Sequence, residues 1–552
     1  MNLALLSIIV IATFTLAYFI YGRFVARNYK LDDNVTTPAC AVNDGVDYVP
    51  AKTPMLLAQH FSAIAAAGPI AGPILAGQFF GWVPTLLWII IGAIFIGAVH
   101  DFSSLITSVR NKARSIAEIV KENMGRRAFI LFMLFIWLSL NYVIIAFTDL
   151  TAGTFVGSQV VENETITGGG VATSSMLYLL LAVIMGLFLY KLKTPLLPAT
   201  IIFVPLIFVV IWLGQKFPLG EPKFIAGNAL KGWSVIILAY CFIASVVPLW
   251  SLLQPRGYLG GYLLYIVLLS AFIGLLFGGF QISNDAPTFT SFFPDMKGSP
   301  GPLFPMLFVT VACGACSGFH GIVCSGTTSK QIEKETDTKP IGYGGMLLEG
   351  IVAFTSLATV MIIVPKVGTN PEDVYRNGIG MFLTTLGVPL KWGTVFAALA
   401  FTTFIYDTLD VATRLGRYIF QELFGWYGNI ARYGATVATL IIPFIFLMSA
   451  EERAWKTYWW LFGTSNQLLA ALTLLGISVW LLKTGRNVLI TLLPMLFVMA
   501  MTLWSLARYV VAMIEGKGNI VVGISSIILI ILSALLVIEA GVVFLRHLKR
   551  PA

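Results

Sequence analysis

The sequence predicts an all-α membrane protein of about fifteen transmembrane helices, with a ten-helix core made of two inverted five-helix repeats. Three observations carry that expectation. Of 552 residues, 58% are hydrophobic and only 11% charged, too little polar surface to coat soluble domains. Charge-free apolar stretches of at least about 18 residues, enough to cross a bilayer, recur along the whole chain. Two of them hold prolines where a continuous helix would need backbone donors.

In chain order the spans are expected near 3–22, 55–78, 84–107, 128–153, 172–190, 195–214, 232–254, 257–280, 302–326, 341–365, 391–409, 432–450, 457–482, 488–510 and 518–545. The first runs into Tyr21, Gly22 and Arg23 without a small-residue cleavage pattern, so it is expected to remain in the mature protein. Lys and Arg concentrate in inner loops, and placing the N-terminus outside puts about two thirds of the 35 basic residues on the cytoplasmic side. The C-terminal Arg546-His547-Leu548-Lys549-Arg550 tail then lies in the cytoplasm. A bacterial inner membrane is the expected location, and the lipid bilayer the first partner. Membrane orientation also accounts for the net charge of +9, since every basic cluster sits at a span boundary, and no nucleic-acid partner is expected.

No connection between spans exceeds roughly 30 residues, which leaves no room for an appended catalytic or sensory domain. The longest, 23–54, carries a turn at Asn43-Asp44-Gly45-Val46-Asp47 and reads as a connector or a gate element. Segments 111–125 and 411–425 are charged enough to lie along the inner surface, and 366–390 reads as an amphipathic cap outside. Four of the five cysteines, Cys241, Cys313, Cys316 and Cys324, fall within spans, so no disulfide framework is expected.

The second span holds Gly68-Pro69 and Gly72-Pro73. Each proline removes a donor and disfavours helical geometry at the preceding glycine, so the helix is expected to unwind there, with its carbonyls and half-helix N-terminus holding ion or substrate. The alternative is a plain proline kink packed through small residues. Five spans later Ser245 and Pro248 mark a second interruption in the opposite orientation. The expected division is therefore 1–54, a peripheral span and loop; 55–231, the first repeat; 232–430, the second; and 431–552, peripheral spans.

In the ninth span, Cys313, Cys316, His320 and Cys324 share one face of a helix at 100° per residue. One straight helix cannot surround a metal ion with them, so no metal is assigned. Ser317, Ser325, Thr327 and Thr328 are oxygen donors for a coupling ion or substrate, and His320 is expected to line the path. The competing reading is a small polar packing face. As the eighth core helix, this span would meet the first, as in transporters of the leucine-transporter type.

An ionisable group at the bilayer centre costs at least about 2.5–3.5 kcal/mol, so each is a functional candidate. Glu349 is placed about 14 Å into its span at a rise of 1.5 Å per residue. It is the first proton-coupling candidate, and Asp149 a weaker one. His60, His100, Asp101 and Arg256 are gate candidates, with His100 and Asp101 at the inner end of the third span. Asp407 and Asp410 are expected to answer Arg414 and Arg417 through helical spacing.

The runs Thr37-Pro38-Ala39, Asn43 to Pro50, His60 to Ala65 with Gly68 to Pro73, Gln254-Pro255-Arg256, Ser317-Gly318-Phe319-His320, Ser325 to Lys330 and Trp460-Leu461-Phe462-Gly463 with Asn466 to Ala470 closely resemble the carbon starvation protein A family. The resemblance implies a bacterial inner-membrane transporter of the amino acid–polyamine–organocation type, used in nutrient scavenging under carbon starvation. Small peptides or pyruvate are the implied substrates. Larger members carry further terminal sequence that is shortened here.

The expectation is thus import of small peptides by alternating access, coupled to H+ or Na+, with pyruvate–proton symport as the alternative and a passive channel behind it. No cofactor is expected. An enzyme is not expected either, because four scattered His residues offer no nucleophile–base constellation. Oligomeric state is left open.

Overall fold

Asn2 accepts a hydrogen bond from the Ala4 backbone N–H, and from that cap an apolar run winds into α1 (Leu3–Phe19), prolonged beyond Ile20 as α2 (Tyr21–Tyr29). The computed structural model describes residues 2–44, 48–161, 164–294, 299–450 and 453–548. Gly45–Asp47 of the expected turn, and Lys549 and Arg550 of the basic tail, lie outside the described residues.

After the short α3 (Pro38–Val42) come α4 (Thr53–Ile64) and α5 (Gly68–Phe80), inclined at 50° to each other. The break is at Ala65, where ψ is 72°. Once the chain has broken there, Pro69 falls in the first turn of α5, where its missing N–H has no helical partner to lose. The expected second unwinding at Gly72-Pro73 does not occur: Pro73 lies inside α5 and forfeits only its own bond.

Next are α6 (Trp82–Gly92) and α7 (Ala98–Arg110), joined through one π-helical turn; α8 (Ile116–Met124), capped by the Ser115 hydroxyl; and α9 (Arg126–Thr154). An antiparallel hairpin of β1 (Ser158–Val161) and β2 (Glu164–Thr167), pairing Ser158 with Thr167, is a small exception to the all-α expectation. Then follow α10 (Gly168–Tyr190), α11 (Leu196–Lys216), α12 (Ala229–Val246), α13 (Leu253–Phe277), α14 (Leu303–Thr310), α15 (Gly318–Gly326) and α16 (Gly345–Ile363). The chain closes with α17 (Pro371–Thr384), α18 (Leu390–Phe424), α19 (Asn429–Ser449), α20 (Ala454–Lys483), α21 (Leu489–Ile514) and α22 (Ile520–Leu548). The amphipathic segments expected within 111–125 and 366–390 are α8 and α17. Segment 411–425 is not a separate surface helix; it is the last part of α18, with Arg414 and Arg417 buried.

Among the described residues, thirteen helices are long and apolar enough to cross a membrane, fourteen counting bent α4–α5 as one span. The chain is thus a multi-pass membrane protein. Two sequence expectations need correction. The 232–254 span is not broken by a proline: α12 ends at Val246, and Pro248 stands in the turn before α13. The 302–326 span is not one helix: α14 ends at Thr310 and α15 starts at Gly318. Cys313 and Cys316 lie between the two, so they share no helix face with His320 and Cys324.

Burial sorts the spans. The apolar windows of α18 and α20 are 94% buried, those of Leu3–Tyr29 and α11 only 28%. Outward apolar side chains on the latter pair, such as Leu5, Ile8, Ile201 and Ile202, suit lipid contact. The α20 window, within the 431–552 stretch, is as buried as that of α18. Hydropathy alone does not separate a lipid-facing span from one packed in protein.

Candidate functional site

The two interrupted spans meet at their interruptions. A Cβ on Gly68 would fall 2.5 Å from Cys313 Cβ, and one on Gly72 would fall 2.6 Å from the Thr310 carbonyl oxygen, so only glycine permits this approach. Gly314 sits between Ala353 of α16 and Pro69. The crossing therefore brings together two helix C-termini, of α4 and α14, and two N-termini, of α5 and α15.

Residues 311–317 leave backbone groups without helical partners, and side chains from other elements take them up. Trp88 Nε1 donates to the Val311 carbonyl at 3.2 Å, and Gln467 Nε2 to that of Phe308 at 2.8 Å. Asn466 Oδ1 accepts from the Phe319 N–H at 3.0 Å, while its Nδ2 donates to Ser317 Oγ at 3.0 Å and approaches Cys313 Sγ at 3.2 Å. Asn466 and Gln467 are buried on α20. Their sequence signal was an Asn-Gln pair inside an apolar span, which carried the family resemblance but was given no role.

Beside the crossing lies an unbroken chain of buried titratable groups from three helices. On α7, His100 Nδ1 is 2.7 Å from Asp101 Oδ1. Asp101 Oδ2 is 2.8 Å from Nδ1 of His320 on α15, whose Nε2 is 3.1 Å from Oε2 of Glu349 on α16. All four side chains are 0 or 1% exposed. The last contact has ion-pair distance but not hydrogen-bond alignment, so both Glu349 oxygens and His320 Nε2 lack a hydrogen-bond partner. Nearby, His60 Nδ1 lies 2.9 Å from Thr328 Oγ1 while its Nε2 is unpartnered.

This corrects the placement of His100 and Asp101. They do not end the third span at the inner face, because α7 continues to Arg110 and buries both.

The remaining candidates fall elsewhere. Ser325 donates to the Gly321 carbonyl and accepts from the Ile116 N–H; Thr327 donates to the Val323 carbonyl. Ser317 is hydrogen-bonded to Asn466 and Thr328 to His60. Ser245 faces Thr436 of α19 at 3.3 Å, and Pro248 is in the α12–α13 turn, both outside the crossing. Among the described residues no group of three His, Cys, Asp or Glu side chains is placed to hold a metal ion.

Two further buried charge clusters were read differently from sequence. Arg256 on α13 pairs with Asp407, and through Nη1 with Asp410 Oδ2 at 2.7 Å, both on α18. The Tyr240 hydroxyl donates to the same Asp410 oxygen at 2.7 Å. Asp407 and Asp410 thus answer Arg256 rather than Arg414 and Arg417; Arg414 instead donates to the carbonyls of Ala244 and Val247 at the end of α12. Asp149 is held by Arg453, 2.9 Å from its Nε, and Arg453 Nη2 also reaches Glu372 Oε1 of α17 at 3.0 Å. An aspartate fixed by a guanidinium is a tether between α9, α17 and the start of α20, which counts against the proton-coupling role considered for it.

The model of the family described as carbon starvation protein CstA matches residues 2–371 and 366–505. A peptide transporter CstA of Helicobacter pylori is 32% identical, over 89% of this chain and 80% of its own length. That of Bacillus subtilis is 30% identical, over 100% of this chain and 98% of its own. The pyruvate/proton symporter BtsT of Escherichia coli is 27% identical, over 90% and 80%. Among solved structures, a mutant of the Eremococcus coleocola manganese transporter aligns at a TM-score of 0.46 and 15% identity, over 92% of this chain and 99% of that one. On the family match and the identity to these relatives, the chain belongs to the carbon starvation protein CstA family.

Proposed function

We propose that this chain is a secondary active transporter that imports small peptides across the bacterial inner membrane by alternating access, driven by protons carried on His320 and Glu349. The observation that carries the proposal is the buried His100–Asp101–His320–Glu349 chain lying against the crossing of two interrupted spans. An imidazole exchanges protons near neutral pH, and one proton gained or lost changes the charge of a water-excluded cluster. The charge state then favours one arrangement of the spans over another, which is what coupling requires.

The crossing fits a zwitterion. Two helix N-termini offer partial positive charge to a carboxylate, and two C-termini offer carbonyls to an ammonium group. The names of the peptide-transporting relatives agree with that. Arg256, a gate candidate from sequence, is already committed to two aspartates and is not free to bind a carboxylate. Pyruvate is the second reading, supported by the E. coli relative named a pyruvate/proton symporter, and that name also favours the proton as coupling ion.

Counting α4–α5 and α14–α15 each as one crossing sets the two termini on opposite sides of the membrane, and the basic loops favour the N-terminus outside and the C-terminus in the cytoplasm. The repeats then open at Thr53 and Leu303, running in opposite directions, with α12–α13 as an added hairpin between them. In this register α17 covers the outer side, tethered through Arg453.

The test is uptake by the purified protein in proteoliposomes, with radiolabelled dialanine and, separately, pyruvate, under imposed proton or sodium gradients. An inward proton gradient is expected to accumulate dialanine above the external concentration. Equilibration without accumulation under every gradient would leave a passive channel and refute the proposal.

A further inference from the structure

The proton chain has a continuation. From His100 the polar face of α7 runs on through Ser104 and Thr107, at spacings of four and three residues, which keeps all three within one narrow stripe of the helix. His100 Nε2, Ser104 Oγ and Thr107 Oγ1 are buried and have no hydrogen-bond partner among the described residues; nor has Oγ1 of Thr473, on α20. That is unlike many buried helix hydroxyls elsewhere in the chain. Thr151, Thr413 and Ser270 donate to the carbonyl four residues back, which satisfies a hydroxyl at little cost. Those of Ser104 and Thr107 do not.

The stripe sits where three helices meet, α7 packing against both α15 and α20. Gly321 of α15 keeps the place open: a Cβ there would lie 3.2 Å from His100 Nε2 and 3.1 Å from Thr473 Cγ2. At its far end α7 reaches Arg110, which pairs with Glu335 at 2.7 Å and donates to the Tyr29 and Lys30 carbonyls. The basic Lys30 and Lys112 stand at the same end. Buried hydroxyls left unpaired are costly unless water completes them, and a polar stripe ending at an aqueous face is a place for such water.

We propose that His100, Ser104 and Thr107, with Thr473 facing them, form a hydrated proton path linking the His320–Glu349 pair to the cytoplasm. The inference rests on the proton-coupled reading above. A proton leaving Glu349 is taken by His320 Nε2 as Nδ1 gives one to Asp101. Asp101 hands it to His100 Nδ1, and His100 Nε2 releases one to water held by the three hydroxyls. One proton enters at Glu349 and one leaves at the Arg110 end; the net charge of the chain is unchanged, and each imidazole is left with its proton on its other nitrogen, which ring rotation or proton exchange resets before the next transfer.

The test uses the full-length protein in proteoliposomes and two readouts with radiolabelled dialanine: accumulation driven by an inward proton gradient, and counterflow exchange at equal pH. In Ser104→Ala/Thr107→Val, proton-driven uptake is expected to fall by about tenfold or more, as for a proton transfer deprived of its relay groups. Counterflow is expected to stay within about twofold, since exchange needs no net proton transfer. Ser104→Ala alone, which keeps the Thr107 hydroxyl, is expected to retain most of the driven rate. Wild-type driven uptake in the double variant would overturn the path while leaving proton coupling intact. Equal loss of both readouts would overturn it too, by showing a structural role. Absence of proton-driven accumulation by the wild type itself would overturn the coupling reading, and the path with it.

Discussion

Two charge clusters are buried in the same helical bundle, and they are built from different cations. Around Arg256, a guanidinium holds the carboxylates of Asp407 and Asp410, with the Tyr240 hydroxyl donating to the second. Around His320, an imidazole stands between Asp101 and Glu349, and a second imidazole, His100, closes the chain. A guanidinium keeps its charge at every physiological pH, whereas an imidazole gains or loses one there. The first cluster therefore joins α13 to α18 as a fixed strut. In the proposed mechanism the second changes charge, and it lies where the backbone is interrupted and three helices meet. Burial and pairing look alike in both; the ability to change charge separates a support from a coupling device.

Breaking the strut should produce the largest change in stability. Arg256→Met strands two carboxylates in the interior, and losing one partner of a buried ion pair costs about 3–5 kcal/mol. The expected result is a markedly lower Tm in detergent and poor recovery of folded protein. Replacing Asp407 and Asp410 by Asn in the same variant should restore much of that loss, because no unpaired charge then remains. If Arg256→Met unfolds at the wild-type temperature, the cluster is not a strut.

A smaller effect is expected where the backbone interruption is held open. Asn466→Ala removes the partner of the Phe319 N–H and of the Ser317 hydroxyl, at about 1–3 kcal/mol for a buried group left unsatisfied. Unlike Arg256→Met with its aspartates neutralised, it should also impair dialanine counterflow, since the segment it fixes belongs to the crossing. Normal counterflow in Asn466→Ala would move the substrate site away from residues 311–317.

Much of this molecule was legible in the sequence, for reasons that can be named. Spans are visible because a charge-free stretch of sufficient length has few alternatives to crossing lipid. The break before Gly68-Pro69 is visible because proline leaves a chemical mark. The break between α14 and α15 has no proline between Val311 and Gly318. Its Ala312-Cys313-Gly314-Ala315-Cys316-Ser317 run resembles a close-packing face, and the Trp88, Asn466 and Gln467 contacts from distant parts of the chain reveal its unpaired backbone. Glu349 and His320 were picked out one by one, but the sequence gives no sign that they touch. His100, Asp101, Asp407 and Asp410 were assigned to span ends. In the fold, α7 and α18 carry them inside, where long-range partners make their burial tolerable.

The most direct measurement of the central claim compares wild type with Glu349→Gln in proteoliposomes, recording dialanine accumulation under an inward proton gradient alongside counterflow at equal pH. The amide nearly matches the carboxylate in shape but carries no exchangeable proton of the required kind. The account predicts that Glu349→Gln loses accumulation by about a hundredfold, within the range for removal of a proton-transfer group, while counterflow persists. Undiminished proton-driven accumulation by Glu349→Gln would contradict it.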